Sequence, residues 1–129
     1  QTNYNVQPQV FIGGFSSGAC ISLYFTTEFG QMGVKGCLNV EGALFDQVNR
    51  ISITPPIFTW HGINDQTVYV SNAYNIRDIC AMFGVRNDVY LFENSGHGNE
   101  DNPAVNRLFE GKSLNEMATR FIADVAIST

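Results

Sequence analysis

The sequence predicts an α/β fold, a three-layer sandwich with a mostly parallel sheet of about four strands and three main helices. Three observations point to it. Short continuous apolar runs such as Val10-Phe11-Ile12 and Pro56-Ile57-Phe58-Thr59-Trp60 suit strands buried on both faces, the condition of a parallel sheet covered by helices. Segments with apolar residues at helical spacing alternate with these runs, and that alternation implies right-handed crossovers with helices on both faces. The length, 129 residues with 44% hydrophobic content, allows a single core and requires no second domain.

The first strand, Val10 to Ile12, ends in Gly13-Gly14, and a helix is expected from about Gly18 to Phe29 with Gly30 as its stop. Lys35 to Val40 reads as the second strand and Pro56 to Trp60 as the third, opened by proline at a permitted strand start. A short irregular link with one helical turn is expected between them. Ser71 is placed as the N-cap of a helix in which Ala73, Ile76, Ile79, Cys80 and Phe83 recur at helical spacing until Gly84. Asp88 to Phe92 is the fourth strand. Ser113 and Glu116 form a capping box before Leu114, Met117, Phe121, Ile122 and Val125, which mark an amphipathic final helix.

Net charge is -5, and the seven Lys and Arg are scattered from Lys35 to Arg120 without a basic stripe, which argues against nucleic acid as a partner. No apolar run approaches bilayer-spanning length, and the polar stretch from Gln1 to Gln9 gives no sign of a signal peptide, so no membrane partner is expected. The low charged content of 15% leans towards secretion without fixing a compartment. Cys20, Cys37 and Cys80 cannot all pair within one chain, and none has the near Cys or His neighbours of a zinc site. They are expected to be buried thiols.

Gly14-Phe15-Ser16-Ser17-Gly18 is a G-x-S-x-G motif that follows an apolar strand and opens a helix. A sharp turn there holds the serine in a strained conformation, with flanking glycines admitting close backbone approach. The Ser16 hydroxyl is the expected nucleophile, and the backbone N–H of Ser17, at the helix N-terminus, the expected oxyanion donor. A serine hydroxyl needs an adjacent base. Of the two histidines, His97 lies in Ser95-Gly96-His97-Gly98 just past the fourth strand, where a flexible Gly-rich loop can carry its ring over the strand ends. His61 ends the third strand and is read as structural or cleft-lining. A carboxylate must hold the imidazole in one tautomer, and Asp65, after the third strand, lies on the same rim. Asp65 has the alternative reading of capping a turn. Glu41, beyond the second strand, is the competing acid, whereas Asp46, Glu93 and Asp101 are read as solvated.

Gly13 to Ala19, then His61-Gly62 with Asp65 and Val68, then Ser95-Gly96-His97-Gly98, resemble the nucleophile elbow, acid loop and histidine loop of α/β-hydrolases, in the esterase and lipase branch that includes acetyl esterases and feruloyl-esterase-like enzymes. The resemblance spans about Val10 to Val125. It implies that residues 1–129 form a single partial domain, the C-terminal half of that fold, whose four strands correspond to its fifth to eighth. The first four strands, and the loop that supplies another oxyanion donor, have no counterpart. The Val10 to Ile12 strand would then lie mid-sheet in the whole fold, and its edge is expected to pair with another copy or with a missing N-terminal half.

The expected function is hydrolysis of carboxylic esters, small or carbohydrate-linked, through an acyl-enzyme with Ser16, Asp65 and His97 as triad and with no cofactor or metal. The alternatives are a prolyl-oligopeptidase-like serine peptidase and a non-catalytic interaction module. Phe15, Trp60 and Tyr69 are candidates for an apolar pocket, though aromatic residues near strand ends more often belong to the core.

Overall fold

Val10–Phe15 forms strand β1, and the chain then turns directly into helix α1, Ser17–Phe29, so that the predicted strand is three residues longer and reaches the serine. The structure, a computed structural model, describes residues 10–29, 33–44, 55–98 and 100–127. Strands β2 (Val34–Val40), β3 (Ile57–Gly62) and β4 (Asn87–Phe92), with helices α2 (Ser71–Phe83) and α3 (Leu114–Ile127), complete the regular elements in the predicted order. The expected Gly30 stop, the helical turn between β2 and β3, and Asp46 lie outside the described residues.

The four strands form one parallel sheet in the order β1-β2-β3-β4. Alternation along β3, buried over its whole length, sorts its side chains between two layers. Phe58 and Trp60 point to a core with Val40, Phe92, Met117, Phe121 and Val125, under α3. Ile57 points to the opposite core with Cys37, Leu23 of α1, and Ile76 and Cys80 of α2. The result is the predicted three-layer sandwich. Trp60, fully buried, donates its indole N–H to the carbonyl of Ala104 at 2.7 Å, which satisfies the ring's one donor inside the core.

Helix ends follow side-chain chemistry in two of three readable cases. Ser113 Oγ accepts from the Glu116 amide at 3.1 Å while Glu116 Oε1 accepts from the Ser113 amide at 2.8 Å, the reciprocal pair expected before α3. Gly84 closes α2 in the left-handed region, φ 72°. Ser71, however, is not a cap: the chain is already turning at Val70, with the Asn72 and Tyr74 amides bonded to the Tyr69 and Val70 carbonyls, so Ser71 is the first helical residue. All three cysteines are free thiols. Cys37 and Cys80 are buried, as expected, but Cys20 is only half-buried, its sulfur accepting from the Ala43 amide at 3.3 Å. No helix among the described residues is long and apolar enough to cross a membrane.

Candidate active site

Ser16, Glu41, Asp65 and His97 follow the carboxyl ends of β1, β2, β3 and β4, where a parallel sheet leaves a crevice. Ser16 follows β1 with φ 58°, a left-handed conformation unusual for a residue with a Cβ. Its amide donates to the Val40 carbonyl at 2.9 Å and its own carbonyl accepts from Cys20 as the first turn of α1 forms. The residue is thus gripped by β2 on one side and the helix on the other, and its strain is held in place by both.

The two motif glycines play unequal parts. A Cβ on Gly14 would lie 2.5 Å from the Gly18 carbonyl carbon and 2.9 Å from the Ala19 amide, so only glycine lets helix and strand meet this closely. A Cβ on Gly18 would meet nothing within 4 Å, so close approach is not what that glycine provides. Ser17 is exposed, and its amide lies at the N-terminus of α1, where the first amides of a helix have no intrahelical acceptor.

Ser16 Oγ lies 2.7 Å from His97 Nε2, and His97 Nδ1 lies 2.7 Å from Asp65 Oδ2. With Nδ1–H donating to the Asp65 carboxylate, Nε2 is left to accept a hydrogen bond from the Ser16 hydroxyl. Asp65 does both things its position allowed. Its Oδ1 accepts from the Thr67 and Val68 amides at 2.9 and 2.7 Å, a turn that fixes the carboxylate plane, while Oδ2 faces the imidazole.

Hydrogen bonds hold the histidine loop on two sides. The Ser95 carbonyl accepts from the Asn64 amide at 2.8 Å, and Glu100 accepts from the Gln66 amide and, at 2.9 Å, from the Thr67 hydroxyl. Arg107 clasps the other side through the Ser95 hydroxyl at 2.6 Å and the Glu93 carbonyl at 2.8 Å. Gly62 lets the two loops pack together, since a Cβ there would come within 2.4 Å of the Ser95 carbonyl oxygen.

His61 is structural. It is fully buried, its Nε2–H donates to the Val68 carbonyl at 2.7 Å, and burial holds its pKa below the ordinary histidine value, so the ring is neutral and buttresses the Asp65 turn. Glu93 and Asp101 are exposed, as expected. Of the aromatic candidates, Trp60 belongs to the core, Tyr69 is 65% exposed, and Phe15 lies against the His97 ring at a centroid distance of 5.3 Å.

Glu41 also reaches His97, with Oε1 3.3 Å from Nδ1. It is fully buried, it has φ 60°, and burial lifts its carboxyl from 4.5 to about 7, opposed in part by the nearby imidazole. Donor atoms of Glu41, Asp65 and His97 all lie within 4.8 Å of one another, and among the described residues no other such group of metal-ligating side chains is found. The short Nδ1 contact with Asp65 already occupies the ring nitrogen that a metal would need.

The phospholipase/carboxylesterase family matches residues 3–122 of the chain. No curated protein matches it in sequence. Among solved structures, esterase PE8 is similar with a TM-score of 0.65 at 20% identity, over 89% of this chain and 49% of its own. MGS-M1, an α/β-hydrolase enzyme from a Medee basin deep-sea metagenome library, is similar with a TM-score of 0.66 at 20% identity, over 89% of this chain and 53% of its own. The acylaminoacyl peptidase of Pyrococcus horikoshii shares the fold with a TM-score of 0.65 at 11% identity, over 77% of this chain and 21% of its own. The chain thus spans about half the length of the first two structures. With the motif match over nearly all of its residues and this fold, the chain belongs to the phospholipase/carboxylesterase family of the α/β-hydrolase superfamily.

Proposed function

We propose that this chain carries the catalytic residues of a serine hydrolase that cleaves carboxylic esters through an acyl-enzyme. The observation that carries the reading is the unbroken chain of 2.7 Å contacts from Ser16 Oγ through His97 to Asp65. Ser16 attacks the ester carbonyl while His97 Nε2 takes its proton. The resulting imidazolium keeps Nδ1–H on Asp65 and then protonates the departing alcohol. Water, deprotonated by the same nitrogen, releases the acid and restores Ser16. The Ser17 amide, at the opening of α1, donates to the oxyanion of both tetrahedral intermediates.

We further infer that a second structural unit completes the site. Among the described residues β1 pairs only with β2, and Val10 on its edge is 49% exposed, while Ile21 and Tyr24 of the adjoining α1 are 68% and 48% exposed. An unprotected apolar edge of this kind invites another strand. An N-terminal half of the fold, or a second copy, covers it and brings the second oxyanion donor. Loss of one such donor typically costs about a hundred- to a thousandfold in turnover.

The test is hydrolysis of a short p-nitrophenyl ester by the 129-residue chain, with and without a supplied N-terminal half, alongside its mass in solution. Slow turnover that rises when the edge is covered is expected, abolished by Ser16→Ala and little changed by Ser17→Ala. Ordinary esterase turnover by a stable monomer refutes the need for a second unit. Cleavage of peptide but not ester substrates transfers the site to the peptidase alternative.

A further inference from the structure

We propose that Glu41 is a positioning residue for His97, a second carboxyl seat for the Nδ1 proton, and that it takes over the orienting role when Asp65 is lost. The inference rests on the reading of His97 as the base.

Two carboxyl groups from different strands stand near one imidazole nitrogen, His97 Nδ1, whose hydrogen bond goes to Asp65 while Glu41 Oε1 lies close by without accepting one. Asp65, beyond β3, stands 2.7 Å from Nδ1, and Glu41, beyond β2, stands 3.3 Å from it. The shorter contact takes the proton in the resting site. Nothing in the fold itself calls for an acid at position 41. The residue is fully buried, its backbone is left-handed, and neither carboxyl oxygen has a well-formed hydrogen bond. What surrounds those oxygens is the His97 ring, the Asp65 carboxylate, the Gly98 amide and, farther off, the Glu100 carboxylate. A buried, unsatisfied, strained acid is destabilising, and such outliers point towards function when the surrounding structure over-determines them. Position is over-determined here: the Glu41 amide donates to the Trp60 carbonyl at 2.9 Å, and Gly42 donates to the Asn39 side chain at 3.0 Å.

Chemistry explains why the second seat stands by instead of competing. Burial raises the Glu41 carboxyl to about 7, so that near neutrality it is about half protonated and adds no second full charge beside Asp65. When His97 becomes an imidazolium, its positive charge is attracted by the ionised fraction of Glu41 as well as by Asp65. If Asp65 is truncated, Glu41 alone faces Nδ1 and keeps the ring in the same tautomer.

Two measurements decide the matter. In the first, Asp65→Ala and the double variant Asp65→Ala/Glu41→Gln are compared by the rate at which a fluorophosphonate labels Ser16. The double variant is expected to label at least about tenfold more slowly, as a further hydrogen-bonding charge is removed from a coupled group. Equal rates overturn the proposal. The second needs no substitution at Asp65: carbon-13 NMR of the intact chain follows the Glu41 side-chain carboxyl and the His97 ring as pH is varied. Glu41 is expected to show an inflection shared with the His97 titration, and the His97 inflection is expected to move in Glu41→Gln. A Glu41 carboxyl that titrates as a free carboxylate with no shared inflection overturns the proposal, even if Asp65→Ala does not fold. Failure of the unsubstituted chain to label at Ser16 at all would instead count against the hydrolase reading, because the NMR titration does not depend on it.

Discussion

Replacing Asp65 with asparagine keeps the shape of the side chain and reverses one hydrogen bond, and the structure shows which one. Oδ1 accepts from two amides, those of Thr67 and Val68, at 2.9 and 2.7 Å. An amide nitrogen cannot accept there, so the asparagine oxygen keeps that place and its NH2 group takes the position of Oδ2, 2.7 Å from His97 Nδ1. A donor facing Nδ1 strips it of its proton and puts the proton on Nε2, which then faces Ser16 as a donor. The base is lost without being moved. Restoring the working tautomer forfeits about 1 kcal/mol for the hydrogen bond. Losing the carboxylate beside the imidazolium costs about 4 kcal/mol more, the attraction of unit charges about 4 Å apart at an effective dielectric of about 20. At about 1.4 kcal/mol per tenfold, the two together predict a loss of about three to four orders of magnitude in reaction at Ser16. Folding stability should fall by less than about 1 kcal/mol, because the turn survives. The assay is the rate of fluorophosphonate labelling beside a denaturant unfolding curve. A loss below about tenfold with an intact fold would mean that Asp65 does not set the tautomer, and would refute the assignment of the orienting acid.

Glu41→Gln removes a carboxyl whose folded-state value is raised from 4.5 to about 7. A raised acid carries no penalty below its unfolded value and the full penalty above its folded value, so the unsubstituted chain loses stability as pH rises between the two. The variant should therefore gain about 2–3 kcal/mol relative to the unsubstituted chain on going from about pH 5 to pH 8, read from unfolding at each pH. A constant difference would contradict the buried, raised carboxyl. Gly14→Ala should destabilise by about 1–3 kcal/mol or more and suppress labelling of Ser16, whereas Gly18→Ala should be within about 0.5 kcal/mol, since one added Cβ meets backbone and the other meets nothing. Equal effects would show that the elbow relaxes around Gly14. Phe58→Ala, in the core under α3, should cost about 3–5 kcal/mol by chemical denaturation, and a cost under about 1 kcal/mol would mean that this layer is not close-packed.

The positions of the strands and the start of α3 were legible because they depend on near neighbours in sequence. Val10 to Ile12 and Asp88 to Phe92 are apolar runs whose length and flanks already say strand, and the pairing of Ser113 with Glu116 is contained within four residues. That Ser16, Asp65 and His97 come together was legible for a related reason. Each lies just past a strand, and a parallel sheet brings such positions to one rim whatever the loops between them do. What escaped are facts of three-dimensional meeting. That His61 is spent on the Val68 carbonyl, and that Glu100 ties down the acid turn, depends on how two loops fold back on each other. Ser71 missed its cap because Tyr69 and Val70 turn first, and their local sequence carries no signal for it. Gly18 looked like a steric necessity because the motif pairs it with Gly14, but only Gly14 is crowded. Glu41 was visible as a rival acid on the rim. That it shares the same ring nitrogen with Asp65 could be learned only from distances.

The central claim is that Ser16 is activated by His97 and Asp65 within this chain. Intact-mass spectrometry after exposure to a fluorophosphonate, followed by peptide mapping, tests it most directly. A single adduct on Ser16, lost in His97→Ala and unaffected in rate by Ser17→Ala, is the predicted result. Labelling spread over other serines, or a Ser16 adduct that forms equally fast in His97→Ala, would contradict it.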